Sequence, residues 1–170
     1  MRVLHVAGSS GCGKTRLIEK LVARLPVVLV VKWSHHALGP EKPGADSARF
    51  KALGVSALLA APDGLVLRPS PIARHTVYQF LAQALREDAL IIVEGDKTAP
   101  YPKIWMAEDL PAHARASLVI GPNRLNAADW VTANLPLSDA SLDRVAEFIC
   151  REWTRYTYFL GDADEKLHRS

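Results

Sequence analysis

The sequence predicts a three-layer α/β fold, with helices on both faces of a mostly parallel sheet. Three observations carry that prediction. Short apolar runs alternate with amphipathic segments of helical period. The first run opens directly into a glycine-rich turn at residues 8–15. The run at residues 89–93 is apolar throughout, as in strands covered on both faces.

Taken in order, residues 2–7 read as a buried strand. Residues 15–25 read as a helix: Leu17, Ile18, Leu21, Val22 and Leu25 share a face, and Pro26 stops it. Residues 27–33 are almost wholly apolar and rich in valine, as expected of a strand buried on both faces. Residues 34–44 hold two Gly and two Pro and read as a loop, and 45–53 as a helix ended by Gly54. Residues 56–61 and 65–67 are short strands split by Pro62-Asp63-Gly64. A helix over 72–86 places Val77, Phe80, Leu81 and Leu85 on one side. The turn-rich stretch 95–102 reads as a functional loop, and residues 103–107, 117–120 and 134–137 as shorter strands. Ser138 caps a final helix reaching about residue 153. The length favours one domain, residues 1–160, with a polar tail at 161–170. An apolar edge strand within 56–67 or 103–107 would suit dimerisation.

Composition narrows the function classes. The net charge is +3 and the Lys and Arg residues are scattered, so no basic block points to nucleic acid. Two cysteines, Cys12 and Cys150, form no disulfide framework and suit a reducing compartment. No leader pattern or bilayer-length apolar run is visible, so a cytoplasmic protein with no membrane partner is expected.

Gly8-Ser9-Ser10-Gly11-Cys12-Gly13-Lys14-Thr15 matches the phosphate-binding pattern G-x-x-x-x-G-K-[ST] at every fixed position, between a strand and a helix. The pattern makes the fold of P-loop NTPase type. Gly8, Gly11 and Gly13 permit backbone angles that let N–H groups converge on one anion, with Ser10 and Cys12 contributing theirs. The helix beginning at Thr15 adds unpaired N–H groups and the positive end of its dipole. Lys14 can reach β- and γ-phosphates, the Thr15 hydroxyl can ligate Mg²⁺, and Arg16 follows at the helix start. The Cys12 thiol is either a nucleotide-protected reactive group or an inert small residue.

Such a loop needs a carboxylate opposite it, ordinarily at the end of the neighbouring strand. In Val93-Glu94-Gly95 that residue is Glu94, the candidate catalytic and metal-shell group; a solvated strand-end carboxylate is the plainer alternative. Gly95 would allow a substrate or partner to approach closely, with Asp96 and Lys97 next in line. Lys32, at the end of another strand, precedes His35-His36. Strand C-termini form the ligand crevice of parallel sheets, so these groups can contact an anionic ligand or orient a water, or they are exposed loop histidines. Their spacing does not suit zinc. Asp46 either caps the next helix or meets Mg²⁺ or substrate, and Arg49 lies one turn on.

Together these residues resemble the MobB family, GTP-binding accessory proteins of molybdopterin-guanine dinucleotide synthesis. The carrying pieces are Gly8 to Thr15 with Leu17-Ile18-Glu19-Lys20-Leu21, Lys32 with His35-His36, Lys42-Pro43-Gly44-Ala45-Asp46-Ser47 with Arg49, Val93-Glu94-Gly95 with Lys97, and Pro102-Lys103-Ile104. The likeness covers residues 1–107 best. Trp33, Ala37, Leu38, Gly39, Phe50 and Asp96 depart from the family pattern. The resemblance implies a homodimer that binds GTP with Mg²⁺ and hydrolyses it slowly at most. Its implied partners are the molybdopterin guanylyltransferase and, as a further candidate, molybdopterin itself.

No Asn/Thr-Lys-x-Asp motif for reading guanine is present; Asn123 is the nearest polar candidate. A small-molecule or nucleoside kinase on the same fold is the alternative, with Asp46, His35, Arg49 and Arg74 available for its chemistry. The segment 72–85 carries no compact arginine-rich lid. A metallochaperone GTPase would use His35-His36 but lacks Cys and acidic ligands beside them.

Overall fold

The computed structural model describes residues 1–33, 52–53, 57–62, 64–68, 74–108, 110–111, 114–122 and 129–160. The elements in chain order are β1 (Arg2–Gly8), α1 (Lys14–Val22), β2 (Val27–Lys32), β3 (Ala57–Ala61), β4 (Gly64–Arg68), α2 (Arg74–Ala84), β5 (Leu90–Glu94), β6 (Lys103–Met106), β7 (Ala116–Gly121), β8 (Trp130–Thr132), α3 (Asp139–Arg151), a 3₁₀ turn (Trp153–Tyr156) and β9 (Thr157–Phe159). They fall into two compact units, residues 1–33 with 85–170, and residues 34–84.

The larger unit is built on a mostly parallel sheet ordered β2-β5-β1-β6-β7-β8, with helices packed on it. Period-two alternation sorts the side chains. Leu4, Val6, Leu90, Ile92, Ile104, Met106, Leu118 and Ile120 all enter the same core cluster. Leu17, Ile18 and Leu21 of α1 and Leu142, Val145, Ala146 and Ile149 of α3 close that cluster. The intervening residues Ala7, Trp105 and Val119 join a second cluster with Ala107. Helix α3 starts where Ser138 accepts a hydrogen bond from the Ser141 N–H, with Asp139 in its first turn and Arg151 in its last. Exposed ion pairs tie α1 to α3: Lys20 and Arg24 meet Asp143 at 3.0 and 2.7 Å. At such exposure they add register more than stability.

β1 lies at the centre. Its residues 2–6 pair with β5, and its other edge is shared: Arg2, Val3 and Leu4 face antiparallel β9, while Val6, Ala7 and Gly8 face parallel β6. β9 and the 3₁₀ turn are not predicted from sequence, since three residues are too few to show a period. In the smaller unit β3 and β4 form an antiparallel hairpin, Ala61 opposite Gly64.

Several expectations are corrected. β2 is not covered on both faces: its burial alternates, leaving Val28 58% and Val30 40% exposed. It ends the sheet among the described residues, so an apolar run need not be a central strand. Residues 134–137 form no strand; β8 lies earlier, at Trp130–Thr132, and the Leu135–Pro136 peptide is cis. β6 sits between β1 and β7, so residues 103–107 offer no edge for dimerisation. Helix α1 ends at Val22 rather than residue 25. In α2 it is Tyr78 that is fully buried, while Phe80 is exposed. The predicted helix over 45–53 falls almost wholly outside the described residues, and the tail at 161–170 falls outside them entirely.

Leu21→Ala, in the fully buried α1 face, is expected to cost about 2–5 kcal/mol in denaturant unfolding. A second expectation concerns alkaline pH. The Tyr156 phenol is pushed up to about 12, chiefly by burial and then by its hydrogen bond to and the charge of Asp129. The folded chain therefore keeps this proton where the unfolded chain, with a phenol pKa of about 10, releases it. The stability involved is whole below the unfolded pKa and is lost as pH rises through the folded one. The urea midpoint should fall across that window, and Tyr156→Phe should flatten the fall.

Candidate functional site

Every strand of the β5-β1-β6 triplet runs in the same direction, so their C-terminal ends open on one edge. From the end of β1 the chain turns sharply into α1 through Gly8, Gly11 and Gly13, all at positive φ. Gly8 is obligatory: a Cβ there would stand 1.8 Å from the Met106 carbonyl oxygen. That close approach lets the Ser9 N–H donate to the same carbonyl at 3.0 Å, which docks the loop on the end of β6.

Gly13 caps α1 with a left-handed backbone and no side-chain acceptor, and no acidic residue lies in the first turn. The first-turn N–H groups of α1 thus meet no carboxylate of their own helix, an arrangement suited to an anion. Lys14 reaches back over the loop, donating to the carbonyls of Ser9 and Gly8 and lying 3.8 Å from the Cys12 sulfur. The thiol itself packs into the core, only 4% exposed, which favours the inert reading of Cys12 over the reactive one.

Glu94 ends β5, opposite Val6 of β1. Its largely buried carboxylate accepts a hydrogen bond from the Thr15 hydroxyl at 3.2 Å, with the second oxygen at 3.4 Å. Lys32, at the end of β2, brings its ammonium to 3.9 Å from the same carboxylate while remaining mostly exposed. Thr15, Glu94 and Lys32 are therefore gathered at one flank of the loop. The Thr15 and Glu94 oxygens are the hard donors that Mg²⁺ prefers, so the donor chemistry fits that ion.

Beneath this flank the support is polar and buried. The His5 ring, fully buried on β1, donates through Nε2 to the Gly95 carbonyl at 2.8 Å. Gly95 itself, at φ 95°, donates its N–H to the Val6 carbonyl. A Cβ on it would meet the Trp33 carbonyl oxygen at 2.6 Å, so the close approach it permits is that of the chain's own backbone. Buried Lys103 donates to the carbonyls of Ala99 and Lys97, which braces the 95–102 loop. Asp96 is also fully buried and has a left-handed backbone.

Arg16 points elsewhere. It pairs with Asp139 and donates to the Leu137 carbonyl at 3.4 Å, tying α1 to the start of α3. His35, His36, Asp46, Arg49 and Asn123 lie outside the described residues. His5, Glu108, Leu135 and Pro136 escape the sequence reading. Glu108 carries a usable signal, because it follows the apolar run of β6 closely, as Glu94 ends β5.

The family model described as "MobB: Molybdopterin guanine dinucleotide synthesis protein B" matches residues 3–128. A molybdopterin-guanine dinucleotide biosynthesis adapter protein of Escherichia coli is 30% identical over 162 residues, covering 89% of this chain and 92% of that protein. One of Haemophilus influenzae is 37% identical over 112 residues, covering 61% of this chain and 62% of that protein, just under two thirds of its length. A crystal structure of molybdopterin-guanine biosynthesis protein B superposes with a TM-score of 0.57 at 24% identity, covering 88% of this chain and 98% of that one. A MobB homologue from Bacillus stearothermophilus gives 0.57 at 24%, covering 91% and 97%. At that identity the two structures show the α/β fold.

Gly8→Ala tests the docking of the loop. It is expected to destabilise the chain by about 1–3 kcal/mol, since backbone rather than a flexible side chain must yield. Thermal unfolding reads the loss, and an unchanged melting midpoint would contradict the close packing of Gly8 on Met106.

Proposed function

The chain belongs to the MobB family, and on that premise we propose that it is a GTP-binding adapter protein of molybdopterin-guanine dinucleotide biosynthesis. It acts in the cytoplasm and assists the guanylyltransferase that joins GMP to molybdopterin, with molybdopterin itself as a further partner. No helix among the described residues is long and apolar enough to cross a membrane. The proposed assembly is a homodimer, for which the β3–β4 hairpin is the remaining edge candidate.

The observation that carries the reading is the contact of Thr15 with Glu94 beside an uncapped helix start. In this reading the N–H groups of Gly11, Cys12, Gly13, Lys14 and Thr15 receive the phosphates. The Lys14 ammonium exchanges the Gly8 and Ser9 carbonyls for β- and γ-phosphate oxygens. Thr15 and Glu94 hold the Mg²⁺ shell, and the ion, when bound, offsets charge on the phosphate oxygens. Lys32 adds positive charge at the Glu94 flank.

Slow turnover also has a physical basis in this reading. Arg16 is engaged by Asp139 and Leu137, so it is not positioned to close on a γ-phosphate. Binding rather than chemistry is then the loop's main task.

Titration calorimetry with GTP, GDP and ATP, with and without Mg²⁺, tests the reading. Lys14→Ala is expected to abolish measurable GTP binding; unchanged affinity refutes it. Glu94→Gln should keep most of the binding while lowering Mg²⁺-dependent phosphate release, because the amide keeps one acceptor oxygen and loses the charge. Rapid phosphoryl transfer to an added acceptor would replace the adapter with a kinase.

A further inference from the structure

Among the described residues the sheet ends in β8 on the side away from β2, and a groove of about 340 Å³ lies between that edge and α3. We infer that this groove docks an extended segment of a partner protein, which adds as a strand to β8 and places an acidic side chain on Arg144. The inference goes beyond nucleotide binding and does not rest on it.

The edge comes first. The Asp129 carbonyl accepts from the Val119 N–H, and the Ala133 N–H donates to the Gly121 carbonyl, so both residues bond to β7. Amide direction alternates along a strand. Val131 therefore faces β7 as well, while the N–H and C=O groups of Trp130 and Thr132 point outward. Outward amide groups at the end of a sheet are a template for one more strand.

The side chains alternate too. Trp130 packs with Ala7, Trp105, Ala107 and Val119 on one face of the sheet. Val131 and Ala133 pack on the other, against the cluster that holds α3, and line the groove with Val145 and Phe148. An added strand would send every second side chain into this slot. Phe148, still 40% exposed, has apolar surface left to cover.

Charge then selects the occupant. Arg144 is exposed, lines the same groove and forms no ion pair among the described residues. Asp143 beside it is taken by Lys20 and Arg24. The polar groups Ser141 and Thr132 are bonded to Ser138 and Trp130. A second copy of β8 would not supply the missing carboxylate. Its residues Trp130, Val131 and Thr132 carry none, and Asp129 before them is held by Arg155 at 2.9 Å. A partner strand with apolar residues and one Asp or Glu on its groove-facing side meets both the slot and the arginine.

The test is selection of short random peptides displayed on phage against the intact chain, followed by titration of the consensus as a synthetic peptide. The consensus should alternate apolar residues and carry one Asp or Glu. Arg144→Glu should weaken that peptide by roughly fivefold or more, and a new selection on this variant should exchange the acidic residue for Lys or Arg. Thermal unfolding reports that the variant folds. N-methylation of alternate peptide residues, made in each of the two phases, should abolish binding in one phase and spare it in the other, as strand addition requires. A peptide that binds Arg144→Glu equally well, a response to N-methylation that does not depend on phase, or a selection that enriches nothing overturns the inference. Self-association of the chain that the consensus peptide competes away would give the groove to a second copy and overturn it too.

Discussion

The site depends on the parallel registration of β1 between β5 and β6. Val6 stands opposite Glu94 on one side and Ile104 on the other. Because the strands are parallel, their ends emerge together on one edge. Gly8 can then press against Met106, and Glu94 can reach Thr15. A slip of one residue in β5 would turn Glu94 to the opposite face and break that contact. The helix-facing rows of β1, β5, β6 and β7 resist such a slip, since it would move their apolar side chains out of the cluster shared with α1 and α3.

A second layer of polar contacts stiffens the same edge. His5 holds the Gly95 carbonyl, Gly95 holds the Val6 carbonyl, and Lys103 holds two carbonyls of the loop that follows. Burying an ammonium and an imidazole is costly unless hydrogen bonds offset it. Here those bonds act on the backbone immediately after Glu94. The loop at residues 95–102, expected to carry function directly, therefore braces the carboxylate beside it.

The two flanks of the phosphate loop differ in chemistry. On the β5 side stand a carboxylate, a hydroxyl and an ammonium. On the β6 side a wider cleft combines one carboxylate with Leu135 and Pro136. Arg16 is used structurally, tying α1 to the start of α3.

The sequence by itself determined the parts whose physics is local. The loop from Gly8 to Thr15, the apolar face of α1, the Ser138 cap and the buried run of β5 all follow from residue type and short spacing. The position of Glu94 at a strand end was also legible. Only the tertiary structure decided which strands are neighbours, because strand order depends on contacts between distant residues. Among the described residues it made β2 the end of the sheet and β6 an interior strand, and it set β9 against half of one edge of β1. It also turned Gly95 toward the Trp33 carbonyl, buried His5 and Lys103, and brought Glu108 to the same cleft as Ser9. Apart from Lys103, whose carbonyl partners Lys97 and Ala99 lie six and four residues back, these features join residues far apart along the chain, beyond any short window.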